Sequence, residues 1–357
     1  MFDCLKSNNI LTSSSLSFTL IIFVIILTDS IFSNVSLHSS VFQQHQTNNT
    51  NHDQVYCSTR FHSRVEQFSR TNQCKVNFFM TWISPANSFG QREFFALESL
   101  FQTNPESCLI IISTTMDSEE GFKILEPLIS LGFRVQSISP DLSDLLKNTP
   151  AETWLVEIKN GIKNPGEIPL AQNLSNLIRL AVLYKYGGVY LDMDFVVLKD
   201  FSGLRNSIGA QSIDANGKWS RLNNAVLVFD KKHPLIYKFM EEFALTFDGN
   251  IWGHNGPYLV SRVVDRVAKT KDFNFTVLPP MAFYPIDWTR ISRFFARPND
   301  PATAKWVEAK IRHLNRSTYG VHLWNRKSSK FKIEEGSIIW RLVYDHCLIC
   351  HFNFSTS

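Results

Sequence analysis

The chain lacks any block of like charge. Its 36 Lys and Arg stand against 32 Asp and Glu over 357 residues, and the net charge of +4 is spread along the sequence. A nucleic-acid-binding surface needs a basic patch or stripe, so nucleic acid is not an expected partner. Cysteine is scarce, at six. The lone Cys347-x-x-Cys350 has no second C-x-x-C and no suitable His cluster, which leaves zinc and redox patterns incomplete. A late structural disulfide is the reading for that pair in an oxidising compartment. A comfortable membrane-spanning run of about 20 apolar residues is also missing. The nearest approach is Leu16 to Leu27, LSFTLIIFVIIL, followed after three polar residues by Ile31 and Phe32.

That run still addresses the chain. Lys6 precedes it, as on a cytosolic N-terminus, and the preferred reading is a signal anchor over residues 16–32 behind a tail of residues 1–15. The alternative is a signal peptide cleaved near the Ser-rich stretch; both send the body into the secretory lumen. Sequons at Asn34, Asn48, Asn173, Asn274, Asn315 and Asn353 agree with that route, although Asn173 opens a candidate active-site helix where a glycan would collide with the fold. Five cysteines follow the run, Cys57, Cys74, Cys108, Cys347 and Cys350, so one thiol is left over. Residues 33–75 are rich in Ser, Asn, Gln and His and read as a stem, with His38, His45 and His52 solvated.

Beyond the stem the composition is that of a folded body. Hydrophobic content is 44%, with 29 Phe and 8 Trp, enough for an enzyme-sized core. VNFFMTWIS from Val76, CLIIIST and FRVQSISP read as strands, separated by helical stretches in GQREFFALESLFQTNP and GFKILEPLISLG. This alternation predicts an α/β fold with ligand loops at the C-terminal ends of parallel strands. Trp82 sits at such an end, placed either to stack on a nucleotide base or to fill the core.

The most informative segment is YGGVYLDMDFVVLKD, Tyr186 to Asp200. Read as one strand, it projects Asp192 and Asp194 together, with Leu191, Met193 and Phe195 on the other face. Ionised carboxylates in an apolar segment need compensating charge. A divalent metal carrying a diphosphate supplies it, and oxygen donors suit Mg²⁺ or Mn²⁺. Before this segment, Leu174, Leu177, Ile178, Ala181 and Val182 recur at helical spacing, and Asn176 and Arg179 share another face. Gly187 and Gly188 end that helix where positive φ is expected.

Downstream, GAQSID and NNAVLVFDKKHPLIYKFMEEFALTF predict another strand and an amphipathic helix, and WGHNGPYLVSRVV predicts a substrate loop before another helix. Asn223, Asn224, His254 and Asn255 are the candidate acceptor contacts, with His254 and Asn255 also candidates for a catalytic role beside Asp192 and Asp194. In YGVHLWNRKS, His322 is a candidate third metal ligand, and Lys327 or Lys330 a neutraliser of phosphate charge. Spacing alone cannot join His322 to Asp194.

In that order these motifs resemble the α-1,4-glycosyltransferases grouped with lactosylceramide 4-α-galactosyltransferase and α-1,4-N-acetylglucosaminyltransferase, over residues 76–350. The segments that carry the resemblance are NLSNLIRLAVLYKYGGVYLDMDFVVLK, LNNAVLVFDKKHP, WGHNGP, LPPMAFYPIDW and YGVHLWNRKS. The resemblance implies a GT-A-like nucleotide-sugar-binding fold with a mixed, mostly parallel central sheet, in a single-pass type II Golgi membrane enzyme with its body in the lumen. Residues 76–205 would bind the nucleotide sugar and residues 206–352 the acceptor. It further implies a UDP-sugar donor, Mn²⁺ or Mg²⁺, and transfer of a hexose or N-acetylhexosamine to a glycan or glycolipid with retention. Asp192, Asp194 and His322 would hold the metal; Trp82, Asn176, Arg179, Tyr190, Asp192 and Lys327 would meet the donor. Many relatives have SDxxR where this chain has SNLIR, so the carboxylate contact expected at position 176 is replaced by an amide. A catalytically inactive sugar-binding or scaffold protein and a metal-dependent phosphohydrolase are the alternatives.

Overall fold

The computed structural model describes residues 52–268, 270 and 272–350. The apolar run, its tail, most of the stem and the sequons at Asn34, Asn48 and Asn353 lie outside the described residues. No helix among the described residues is long and apolar enough to cross a membrane. From Gln54 onward the described residues form one compact unit.

Its frame is a seven-stranded sheet of β1 (Asn77–Thr81), β2 (Cys108–Ile112), β3 (Arg134–Ile138), β4 (Gly188–Leu191), β6 (Ser207–Ile213), β7 (Trp219–Phe229) and β8 (Thr276–Leu278), in the order β3-β2-β1-β4-β7-β6-β8. β5 (Phe195–Val197) and β9 (Gly320–His322) form a separate two-stranded sheet. β1 lies parallel to β2 and to β4, and β2 parallel to β3; β7 runs antiparallel to β4 and β6, and β8 runs parallel to β6. The sheet is therefore mixed and mostly parallel, as expected. Because β4 pairs with β7, the boundary expected at residue 205 runs through one sheet.

Strand alternation splits the core into two layers. Phe79, Ile110, Ile112 and Tyr190 face the helices Leu170–Tyr186, Pro234–Thr246 and Pro257–Val267, while Phe78, Met80, Leu109, Ile111 and Leu191 face Gln91–Thr103 and Glu119–Ser130. A third cluster joins Val196, Val321 and Phe95 to the C-terminal helices Pro301–Ser317 and Ile338–His346.

The body begins earlier than the sequence places it. The polar segment assigned to the stem ends in a helix, His52–Asn72, whose Phe61 and Val65 are buried in the first layer. With Phe68 packed against the same layer, these residues recur at i, i+4 and i+7 on one helix face, a short stripe that the polar composition of the segment hides. Arg64 binds Asp117 through two bonds of 2.6 and 2.8 Å, and a Cys74–Cys108 disulfide ties the helix exit to β2. The second disulfide is Cys347–Cys350, at the place the sequence suggests. Glu98 is buried beneath it and accepts the N–H groups of Leu348, Ile349 and Cys350.

Candidate active site

The Leu170–Tyr186 helix buries Leu177, Ile178, Ala181 and Val182, as their spacing predicts, and stops at a glycine pair. Gly187 and Gly188 have φ of 70° and 109°, and a Cβ at Gly188 would lie 2.4 Å from the Asn77 carbonyl oxygen. The pair lets the chain reverse into β4 hard against β1. β1 has β2 and β3 on one side and β4 on the other, so the crevice beyond the C-terminal ends of β1 and β4 is where open α/β sheets take ligands.

Asp192 and Asp194 emerge into that crevice, but in a turn and not along a strand. β4 ends at Leu191, the Phe195 N–H closes the turn onto the Asp192 carbonyl at 3.1 Å, and the chain then leaves the main sheet as β5. The apolar residues around the pair suggest a continuous strand because they are buried in both sheets. The turn still brings the two carboxylates together, and β5 supplies their third partner. Its antiparallel register with β9 sets Phe195 opposite His322, delivering an imidazole from far down the chain to the side of Asp194. Gly320 makes the pairing feasible, since a Cβ there would lie 2.3 Å from the Phe195 ring.

His322 Nε2 stands 3.2 Å from Asp194 Oδ1 and 3.8 Å from Asp192 Oδ2. One ligand atom from each of the three residues fits within 4.8 Å of the others, which is the spread a shared cation requires. Burial opposes charge on His322, but the attraction of Asp194 and the bonds to both aspartates outweigh it and raise its pKa to about 9. Burial also opposes ionisation of Asp194, yet His322 and the Asn325 N–H, 2.7 Å from Oδ2, hold it below the usual carboxylate range. The cluster thus draws in positive charge. Two carboxylates and one imidazole suit Mn²⁺ or Mg²⁺, so the residues present fit a divalent cation.

Asp192 is held from the other side. Arg179, only 6% exposed at its side chain, places Nη1 3.0 Å from Asp192 Oδ1 and donates to the Asn224 carbonyl at 2.9 Å. Its guanidinium lies 4.5 Å from the Tyr190 ring centroid. The Tyr190 hydroxyl donates to Asp192 at 3.1 Å and meets Thr81 at 2.7 Å. Burial first, and then Asp192, push the Tyr190 pKa up although Arg179 pulls it down, so the phenol stays a donor.

The remaining candidates divide. Asn176 does not leave a gap: its Oδ1 accepts from Asn224 Nδ2 at 2.8 Å. A Cβ at Gly256 would lie 2.8 Å from that same oxygen, so the glycine of WGHNGP lets the loop settle on the helix. His254 and Asn255, expected to orient an acceptor or act in catalysis, have their polar groups engaged within the fold. The His254 ring bonds the Thr246 carbonyl at 2.7 Å; Asn255 Nδ2 donates to Asp248 O and Asn173 Oδ1. These bonds brace the loop, because closing a tight turn against a helix leaves backbone groups that need side-chain partners. Asn223 likewise folds back, accepting from Ala225 N and donating to Gln211. Asn173 is buried in this network, in keeping with its doubt as a glycan acceptor, while the sequon residues Asn274 and Asn315 are exposed. Trp82 is half-buried at the end of β1, its ring edge-on to Phe89. Lys327 is exposed, over Trp288.

Several supporting residues carry no sequence signal. Arg92 donates to the Ser328 and Phe331 carbonyls, and Asn325 Nδ2 donates to Glu93, so one helix turn anchors the HLWNRKS segment. Tyr284 packs beside His322 and Trp324.

Two family profiles match the chain in succession. One is described as a glycosyltransferase sugar-binding region containing a DXD motif, over residues 90–213, and the other as an alpha 1,4-glycosyltransferase conserved region, over residues 228–353. An uncharacterized Arabidopsis thaliana protein is 30% identical over 302 residues, 82% of this chain and 45% of that protein, so the chain spans less than half of that relative. Human lactosylceramide 4-alpha-galactosyltransferase is 31% identical over 271 residues, covering 72% of this chain and 71% of that enzyme. Human alpha-1,4-N-acetylglucosaminyltransferase is 27% identical over 58% of each chain. Among solved structures, the galactosyltransferase LgtC with donor and acceptor sugar analogues aligns at a TM-score of 0.39 and 12% identity, covering 77% of this chain and 98% of that one. On its sequence relatives, this chain belongs to the α-1,4-glycosyltransferase family.

Proposed function

We propose that the chain transfers a hexose or N-acetylhexosamine from a UDP-sugar to a glycan or glycolipid acceptor, with retention and through an α-1,4 linkage. The observation that carries this reading is the meeting of Asp192, Asp194 and His322 at the C-terminal end of β4, braced by Arg179. These three residues would hold Mn²⁺ or Mg²⁺, which when bound neutralises the diphosphate on which negative charge grows as the glycosidic bond breaks. Arg179 and Tyr190 fix one oxygen of Asp192 and leave its second toward His322. The Asn325 N–H fixes Asp194 in the same way. Lys327 or Lys330, on the segment after His322, would add positive charge for the departing UDP. Both carboxylates are committed to cations and donors, which makes them poor nucleophiles; same-face attack by the acceptor hydroxyl is therefore the retention route we favour over a covalent intermediate.

The relatives named for galactosyl and N-acetylglucosaminyl transfer make UDP-galactose and UDP-N-acetylglucosamine the first donors to test. Two disulfides and the exposed sequon residues Asn274 and Asn315 support a luminal body, which we place in the Golgi behind the N-terminal anchor. The test is a panel of UDP-sugars with Mn²⁺, scored by UDP release and followed by linkage analysis of the product. Transfer is the expected result; no UDP from any donor would overturn the assignment, and inorganic phosphate without sugar transfer would indicate a phosphohydrolase.

A further inference from the structure

Two exposed indoles flank the HLWN turn, each capped by one of two consecutive cations. The Arg326 guanidinium lies 3.4 Å from the Trp252 ring centroid, and Lys327 Nζ lies 5.1 Å from that of Trp288. Trp252 is 44% exposed. It belongs to the WGHNGP loop, whose far end is fixed to the Leu170–Tyr186 helix by the Asn255–Asn173 bond and by the close approach of Gly256 to Asn176. Arg326 directly follows Asn325, whose N–H holds Asp194. The Trp252–Arg326 contact therefore joins the Arg179 side of the carboxylates to the His322 side.

An indole left in water keeps a large apolar face unburied. Here a guanidinium lies over one face of the ring and the residue stays exposed, and that guanidinium belongs to the neighbour of Asn325, whose N–H holds Asp194. That pairing has the chemistry of a pyranose subsite. The axial C–H face of a sugar stacks on the ring, and guanidinium N–H groups beside it donate to hydroxyls. We propose that Trp252, positioned by Arg326, is the stacking platform for the acceptor's reacting pyranose, an assignment that rests on the transferase reading above.

The test uses the full chain with whichever UDP-sugar releases UDP, and the methyl β-glycosides of galactose, glucose, N-acetylglucosamine and lactose as acceptor probes. Trp252→Ala should raise acceptor KM about tenfold, more than it raises donor KM, and Trp252→Phe should recover most of the loss. Arg326→Ala should shift acceptor KM in the same direction by a smaller factor. Glycoside-dependent quenching of tryptophan fluorescence should disappear in Trp252→Phe. An unchanged acceptor KM in Trp252→Ala, equal rises in donor and acceptor KM, or no probe that either accepts sugar or quenches the wild type would each overturn the platform. If no donor yields UDP, the transferase reading fails, and the fluorescence titration still decides whether Trp252 binds a pyranose.

Discussion

Replacing Arg179 with Met removes the charge that balances Asp192 while keeping most of the side-chain volume. The two groups are 3.0 Å apart, with side-chain exposures of 6% for Arg179 and 27% for Asp192. Removing one partner of a buried ion pair costs about 3–5 kcal/mol, because the remaining charge stays partly desolvated. Asp192 keeps the Tyr190 hydroxyl at 3.1 Å and some access to water, which puts this loss at the lower end, about 3 kcal/mol. The bond to the Asn224 carbonyl adds about 1 kcal/mol. The bond from Nε to Ser175 O adds little, since that carbonyl keeps its intrahelical partner. The sum, about 4 kcal/mol, corresponds to a fall in Tm of roughly 6 °C for a body of this size. Urea and thermal unfolding of the metal-free protein at pH 7 measure it. Adding Asp192→Asn should return at least about 1 kcal/mol, because the stranded charge is gone. A loss under about 1 kcal/mol, or strict additivity of the two substitutions, refutes the view that this pair balances the site.

Asp194→Asn removes a ligand charge with little change of shape, so Mn²⁺-dependent UDP release should fall at least about 100-fold while the circular dichroism spectrum is retained; normal Mn²⁺-dependent turnover refutes the metal assignment. Asp117 is held below the usual carboxylate range: burial raises its pKa, but Arg64 and the Ser139 N–H more than offset that. Its contribution is therefore present above its unfolded value of about 4 and lost as pH falls through the lower folded value. Arg64→Ala should cost about 1.5–3 kcal/mol at pH 7 and flatten the stability profile below about pH 4, read by urea unfolding across pH; an unaltered acid limb would remove Asp117 as its source. Gly256→Ala places a methyl group 2.8 Å from Asn176 Oδ1 and should cost about 1–3 kcal/mol, with part recovered in Gly256→Ala/Asn176→Ala; equal stability of Gly256→Ala and wild type by thermal unfolding would show that the loop gives way freely.

The legible parts of the fold are those with a local period. The Leu170–Tyr186 helix, its glycine stop and the first three strands follow from side-chain spacing, since each buries residues contributed by its own segment. The Asp192–Asp194 segment reads wrongly as strand for the same reason: the apolar residues flanking the two carboxylates record burial but not the change of sheet at Met193. His254 and Asn255 stand out as polar residues in a tight loop, yet their hydrogen bonds hold that loop together. Asn176, an amide at the position where the resemblance implies an acid, has a partner that sequence could not name, Asn224.

By itself the sequence determined the carboxylate pair, the helix and glycines that precede it, the order of the family motifs and a C-x-x-C fit for a disulfide, because each is a matter of neighbours along the chain. The family resemblance named His322 and Arg179, but only the tertiary structure set His322 beside Asp194, paired Arg179 with Asp192 and laid Arg326 over Trp252. Those choices depend on the β5–β9 register, on the reversal at Gly187 and Gly188, and on the approach of Gly256 to the helix. In each case a backbone contact between distant segments, permitted by the absence of a side chain, sets the distance at which charges and rings meet.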